Sequence, residues 1–221
     1  MRVIITGTTG MVGKGVLLEC LENYNISDIL IVNRSNIGVE NSKLKEIIHK
    51  DFFDLSSIEK ELLNYDACFF CLGTSAVGKS EEEYTKITYD LTKHWCDTLY
   101  RLNPNMVFNY VSGTGTDSSE KGRSMWARVK GKTENYILNK GFKAAYMFRP
   151  GIILPEKGVK SSTNWYQFFY IILRPFFPLM KKMKSVTTSV NVGKAMINSL
   201  FVGYDKKHLE NKDINNLATN K

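Results

Sequence analysis

The chain has 221 residues, 43% of them hydrophobic, and a formal net charge of +8. That is enough apolar material for one α/β domain with a proper core, and it excludes a globally disordered chain. The positive balance favours anionic partners such as nucleotides, nucleic acid or an anionic membrane surface. The lysines are scattered with no zinc-finger or RNP-type motif beside them, so nucleic acid is not expected.

In chain order, RVIIT (2–6) reads as a strand, followed by a helical pattern carrying Val12, Val16 and Leu17. DILIVN (28–33) reads as a buried strand and EIIHKD (46–51) as a shorter one, with a helix over residues 55–63. ACFFCL (67–72) gives the next strand, and a long amphipathic stretch over 81–102 the next helix. NMVFNYV (105–111) returns as strand, 124–139 as helix and KAAYMFR (143–149) as strand. This alternation predicts a parallel sheet with helices on both faces. Beyond Pro150 the pattern loosens into an aromatic helix (164–173), a proline-broken turn, a helix near 189–202, and a short final strand and helix.

Cysteines stand at 20, 68, 71 and 96. Cys68 and Cys71 form a CxxC, but residues three apart on a strand lie roughly 10 Å apart on opposite faces, too far for a disulfide. Buried free thiols in a reducing compartment are expected. MRVIITG enters a strand at once and leaves no room for a signal peptide. WYQFFYIIL (165–173) is shorter than the ~20 residues a membrane crossing needs. A cytoplasmic protein is the expectation.

The richest segment is ITGTTGMVGKG, which joins the first strand to the first helix and holds Gly7, Gly10 and Gly13. Glycines permit a tight turn and close approach of a pyrophosphate to the backbone amides, and the helix N-terminus adds partial positive charge. The candidate cradle is Thr6, Gly7, Thr9, Gly10, Met11, Val12 and Gly13. Where an acid commonly reads the ribose, the second strand ends in Asn33-Arg34. A neutral Asn followed by Arg suits the 2′-phosphate of NADP(H), expected in preference to NAD(H), with a solvated loop arginine as the alternative for Arg34. Asp51, with Phe52 next to it, is placed to meet the adenine, or to cap a turn.

TGTTGMVG, CLGT (71–74), VSGTGTD (111–117), RVKGKTE (128–134) and RPGIIL (149–154) occur in an order that resembles the short-chain dehydrogenase/reductase superfamily. The resemblance is to its atypical members, the NAD(P)H-binding group of Tat-interacting-protein-like, NmrA-like and epimerase-like proteins, and it spans nearly the whole chain. It implies a Rossmann-type doubly wound parallel sheet in a single domain over 1–221, with residues 150–206 forming most of a small C-terminal substrate-side lobe. It further implies that Leu72, Gly73 and Thr74 lie along the cofactor, and that Ser112 or Thr114 is the catalytic hydroxyl. Lys130 would be the lysine of YxxxK, and Pro150 and Gly151 would turn beside the nicotinamide. No metal set is implied.

One position departs from the pattern. The tyrosine of YxxxK is Trp126 here, one helical turn before Lys130. An indole N–H donates a hydrogen bond but does not cycle through an anion in water, so the tyrosine's proton transfer is missing. Trp126 is either a site residue or core packing, and Gly131 hints at a close approach to this helix. Two functions stay open: an oxidoreductase or epimerase-like enzyme that acts on an unknown small molecule and draws its proton from Ser112, Thr114 or water, and a catalytically silent NADP(H)-sensing module that regulates a protein partner. Trp165, Phe168, Phe169 and Ile172, beside the basic KKMK (181–184), suggest a lid or a homodimer contact, with membrane-surface docking the weaker reading.

Overall fold

The computed structural model of the chain describes residues 1–159, 177–180, 183 and 185–219. Seven parallel strands form one sheet in the order β3-β2-β1-β4-β5-β6-β9. They are β1 Arg2–Thr6, β2 Asp28–Asn33, β3 Leu44–Ile48, β4 Ala67–Phe70, β5 Val107–Val111, β6 Ala144–Arg149 and β9 His208–Glu210. The strand order reverses between β1 and β4, which opens a crevice at the carboxyl ends of those two strands.

Both faces of the sheet are covered, which is why its central strands are unbroken apolar runs. Side chains alternate between two cores: Val3 and Ile5 join one, Ile4 the other. The first core is closed by α1 (Met11–Glu22), α6 (Ser189–Asn198) and α7 (Asn211–Thr219). The second is closed by α3 (Leu91–Leu102) and α4 (Met125–Leu138), with fully buried Trp95 donating from Nε1 to the Phe52 carbonyl at 3.1 Å. Helices α1 and α6 touch closely: a Cβ on Gly15 would lie 2.8 Å from Ser189 Cβ, and one on Gly193 would lie 2.7 Å from Glu19 Cγ.

Four elements differ from the sequence reading. The third strand is Leu44–Ile48 rather than 46–51, so Asp51 lies beyond it in a turn and accepts from the Phe53 amide at 2.9 Å. Residues Ser56–Leu62 form a 3₁₀ helix. The long helix over 81–102 is α2 (Glu81–Thr85), opened by a Ser80/Glu83 capping box, then a π turn (Lys86–Asp90), then α3. The strand holding the CxxC ends at Phe70, so Cys71 sits in the loop, and all four cysteines are free. A separate two-stranded parallel sheet pairs β7 (Ile152–Leu154) with β8 (Val186–Thr188), and a short α5 spans Phe177–Met180. The aromatic helix expected at 164–173 lies outside the described residues. Among the described residues no helix is long and apolar enough to cross a membrane.

Candidate active site

The glycine turn follows β1. Gly7 has φ +72°, and a Cβ there would lie 2.6 Å from the Cys71 carbonyl oxygen. A Cβ on Gly13 would lie 2.3 Å from the Gly7 carbonyl oxygen, so α1 presses directly on the turn. Gly10 is different: a Cβ would meet only the Gly7 oxygen, at 3.4 Å, an ordinary contact. The fold therefore requires glycine at 7 and 13, and leaves an opening in front of 10. Gly10 is also the N-cap of α1, and neither a side-chain cap nor an acidic residue in the first turn takes up the free amides there. That is the requirement for an anion such as a pyrophosphate. Thr6 is fully buried, Thr9 exposed, and Met11 and Val12 half-buried.

At the end of β2, Asn33 is 3% exposed and its amide is committed on both sides. Its Oδ1 accepts from Thr8 Oγ1 at 2.8 Å, and its Nδ2 donates to Glu46 Oε1 at 2.9 Å. Asn33 thus anchors the glycine turn and is not free to read a ribose. Glu46, which sequence reasoning missed, holds the other side and accepts from the Ile37 amide at 3.2 Å. Arg34 is exposed, without an ion-pair partner among the described residues. Phe52 buries its ring against Trp95 and His49, a packing role rather than an open contact. Leu72, Gly73 and Thr74 run irregularly past β4, and the Leu72 amide lies beside Gly7, where a Cβ would sit 2.8 Å away. Gly73 has open space around it.

Across the crevice, α4 brings Trp126, Lys130 and Glu134 to one face, each one turn apart. Trp126 is half-buried rather than core, and its ring lies against the loop after β5, where a Cβ on Gly115 would be 3.4 Å from Cη2. Gly131 is explained by a clash: a Cβ there would lie 1.8 Å from the Asp117 carbonyl oxygen, so the loop rests on the helix backbone. Lys130 Nζ donates to the Ser112 carbonyl at 2.5 Å. Burial holds the Lys130 ammonium down to about 8, partly opposed by the Glu134 carboxylate.

Glu134 is fully buried and collects partners from three strands. Ser112 Oγ, from the end of β5, donates to it, and Arg149 Nε, at the end of β6, donates to both its oxygens, at 3.0 and 3.2 Å. His208 Nε2, from β9, lies 3.4 Å away. The Ser112 hydroxyl is therefore turned into the protein and spent on Glu134 and the Phe148 carbonyl. Thr114 Oγ1 has one hydrogen and two acceptors, the Arg149 carbonyl at 3.0 Å and Glu210 Oε2 at 2.9 Å. The Pro150 carbonyl accepts from the Thr114 amide at 3.1 Å, and the Gly151 amide donates to Asn211 Oδ1 at 3.1 Å. Tyr110 is buried in the second core with its phenol pushed up by desolvation, and the Tyr136 hydroxyl is held by Asp97. Glu134 was legible as the residue one turn past Lys130; nothing local pointed to His208 or Glu210.

The sequence profile of the NAD dependent epimerase/dehydratase family matches residues 3–141. The chain belongs to that family. It is thus an NAD(P)-binding Rossmann protein of the short-chain dehydrogenase/reductase type, as its motifs imply. It is 25% identical to protein HTATIP2 of Rattus norvegicus over 205 residues, 90% of this chain and 80% of that one. It is 28% identical to the mitochondrial protein FMP52 of Meyerozyma guilliermondii over 158 residues, covering 71% and 67%. The UDP-glucuronic acid 4-epimerase of Bacillus cereus, solved with NAD, superposes with a TM-score of 0.68 at 13% identity, over 95% of this chain and 78% of its own, a likeness of fold alone. The expectation of a cytoplasmic protein is overturned, because relatives from several fungi are named mitochondrial.

Proposed function

We propose that this protein binds NADP(H) in preference to NAD(H) and acts as an oxidoreductase or epimerase-like enzyme on a small molecule. The observation that carries the reading is the open approach at Gly10, in front of the uncapped start of α1, in a turn whose other two glycines are fixed by packing. A pyrophosphate fits the donor set there. Arg34, exposed and unpaired among the described residues, would pair with a 2′-phosphate. Lys130, held against the Ser112 carbonyl, keeps N–H groups free for ribose hydroxyls. The bound cofactor would supply or accept hydride; this chain would orient it between the glycine turn and α4. Residues 150–206 are read as the substrate side.

The second reading, a silent NADP(H)-responsive module with a protein partner or a second copy of the chain, draws on Trp126. Its ring lies on the loop at Gly115 and offers no hydroxyl to a substrate. Fluorescence titration tests the shared part: NADPH should bind more tightly than NADH. Arg34→Ala should cost NADPH about 1.5–3 kcal/mol and NADH little. Equal curves for the two cofactors in the unaltered protein would defeat the preference.

A further inference from the structure

We propose that the Lys130 ammonium is itself the proton donor of this site, taking over the step a tyrosine would perform at position 126. The inference rests on the enzyme reading above.

It starts from which hydrogens are left. Among the described residues around α4 and the loop after β5, the hydroxyls of Ser112, Thr114, Tyr110 and Tyr136 are spent or buried. Trp126 has no acidic proton usable in water. Lys130 has three N–H bonds and gives one to the Ser112 carbonyl. Gly113 faces the ammonium without a side chain between them: a Cβ built there would lie 3.9 Å from Nζ and 3.8 Å from the Pro150 carbonyl oxygen. A substrate carbonyl resting over Gly113 would meet Nζ directly.

The surroundings make this ammonium a usable acid. Burial lowers Lys130 to about 8, near neutrality, whereas a solvated lysine holds its proton far too tightly. Glu134, on the same helix, is the charge that bears on it, and Arg149 from β6 takes up most of that carboxylate. From β9, Glu210 pairs with Thr114 and Arg149, and His208 is pushed below its ordinary range by burial, so His208 is neutral where Lys130 titrates.

The step balances. A reduced nicotinamide held between the glycine turn and α4 would supply hydride to the carbonyl carbon, with the C=O π pair moving to oxygen. An N–H bond of Lys130 breaks as the O–H bond forms, leaving an oxidised cofactor, an alcohol and a neutral amine that solvent reprotonates.

The test combines a titration with kinetics. The 13Cε resonance of Lys130, assigned by its loss in Lys130→Arg, should titrate near 8 in the unliganded protein. With NADPH and diacetyl or phenanthrenequinone, turnover should fall roughly tenfold per pH unit above the midpoint measured with cofactor bound. Lys130→Arg keeps a cation for the ribose but holds its proton, so it should bind NADPH and lose about 10²–10⁴ in turnover. Undiminished turnover in Lys130→Arg, a flat profile between about pH 7 and 10, or a midpoint in the ordinary lysine range would each overturn the proposal while leaving an enzyme. Cofactor binding with no NADPH oxidation by the unaltered protein would instead remove the enzyme reading, and this donor with it.

Discussion

The two sides of the crevice are built on opposite principles. At the glycine turn the fold works by leaving side chains out: Gly7 and Gly13 let backbone touch backbone, and Gly10 keeps a helix end bare. At α4 it works by crowding charge in: fully buried Glu134 is met by Arg149, Ser112 and His208, with Lys130 one turn away. The first arrangement is written in consecutive residues. The second is assembled from β5, α4, β6 and β9, parts of the chain up to 96 residues apart, as the Thr114–Glu210 contact shows. A bare turn can receive an anion without reorganising, whereas a buried charge must be balanced group by group.

The largest effects should come from the glycines. Gly13→Ala forces a Cβ onto the Gly7 carbonyl and should cost about 3–5 kcal/mol in denaturant unfolding or prevent folding. Gly10→Val should cost about 1 kcal/mol or less, yet abolish NADPH binding, because its side chain fills the opening. If both variants lose stability equally, the distinction between packing and approach at this turn fails.

On the other side, Glu134→Ala leaves Arg149 without its main carboxylate and should cost about 3–5 kcal/mol, with Glu134→Gln milder because it can still accept from Ser112. Thermal melts showing a loss below about 1 kcal/mol would reduce the network to a surface pair.

A smaller and opposite effect is expected at Lys130. Its folded midpoint of about 8 lies below the ~10.4 of an unfolded lysine, so between those values the unfolded chain holds more protons and stability rises with pH. Below pH ~8 the fold carries a disfavoured ammonium. Lys130→Met should therefore be about 1–2 kcal/mol more stable than the natural protein at neutral pH, after allowing for the lost hydrogen bond to Ser112. That advantage should disappear by about pH 10.5. A gap that stays constant with pH would mean the lysine is solvated.

The alternating apolar runs gave the sheet, its direction and the positions of β1, β2, β4, β5 and β6 to within a few residues, because buried parallel strands leave little room for polar residues. The third strand was misplaced: Leu44–Ile48 is an edge strand of the sheet, and its half-exposed pattern resembles a loop. The glycine turn was legible because its chemistry is local. Asn33 was read as a missing acid, yet it is a brace between Thr8 and Glu46, and that requires knowing which strand lies beside β2. Trp126 was open between core and site in the sequence, and its half-burial against Gly115 comes from a loop no helical periodicity encodes. Ser112 and Thr114 stand out in the sequence as candidate hydroxyls; where those hydroxyls point is not legible there, because Glu134 and Glu210 decide it.

The position of β9 has a consequence for the order in which the protein is made. Chains leave the ribosome N-terminus first, at ~5–20 residues per second. Gly7, Gly13 and the β4 end that Gly7 rests on all lie within the first third of the chain, so that turn can be in place early. Thr114 and Gly151 also reach Glu210 and Asn211, near the end of the described chain. Until those residues emerge, about ten seconds or more after Gly7, the loop after β5 and the turn after β6 lack their contacts to β9 and α7. During synthesis, the glycine turn therefore comes before the charged wall that faces it.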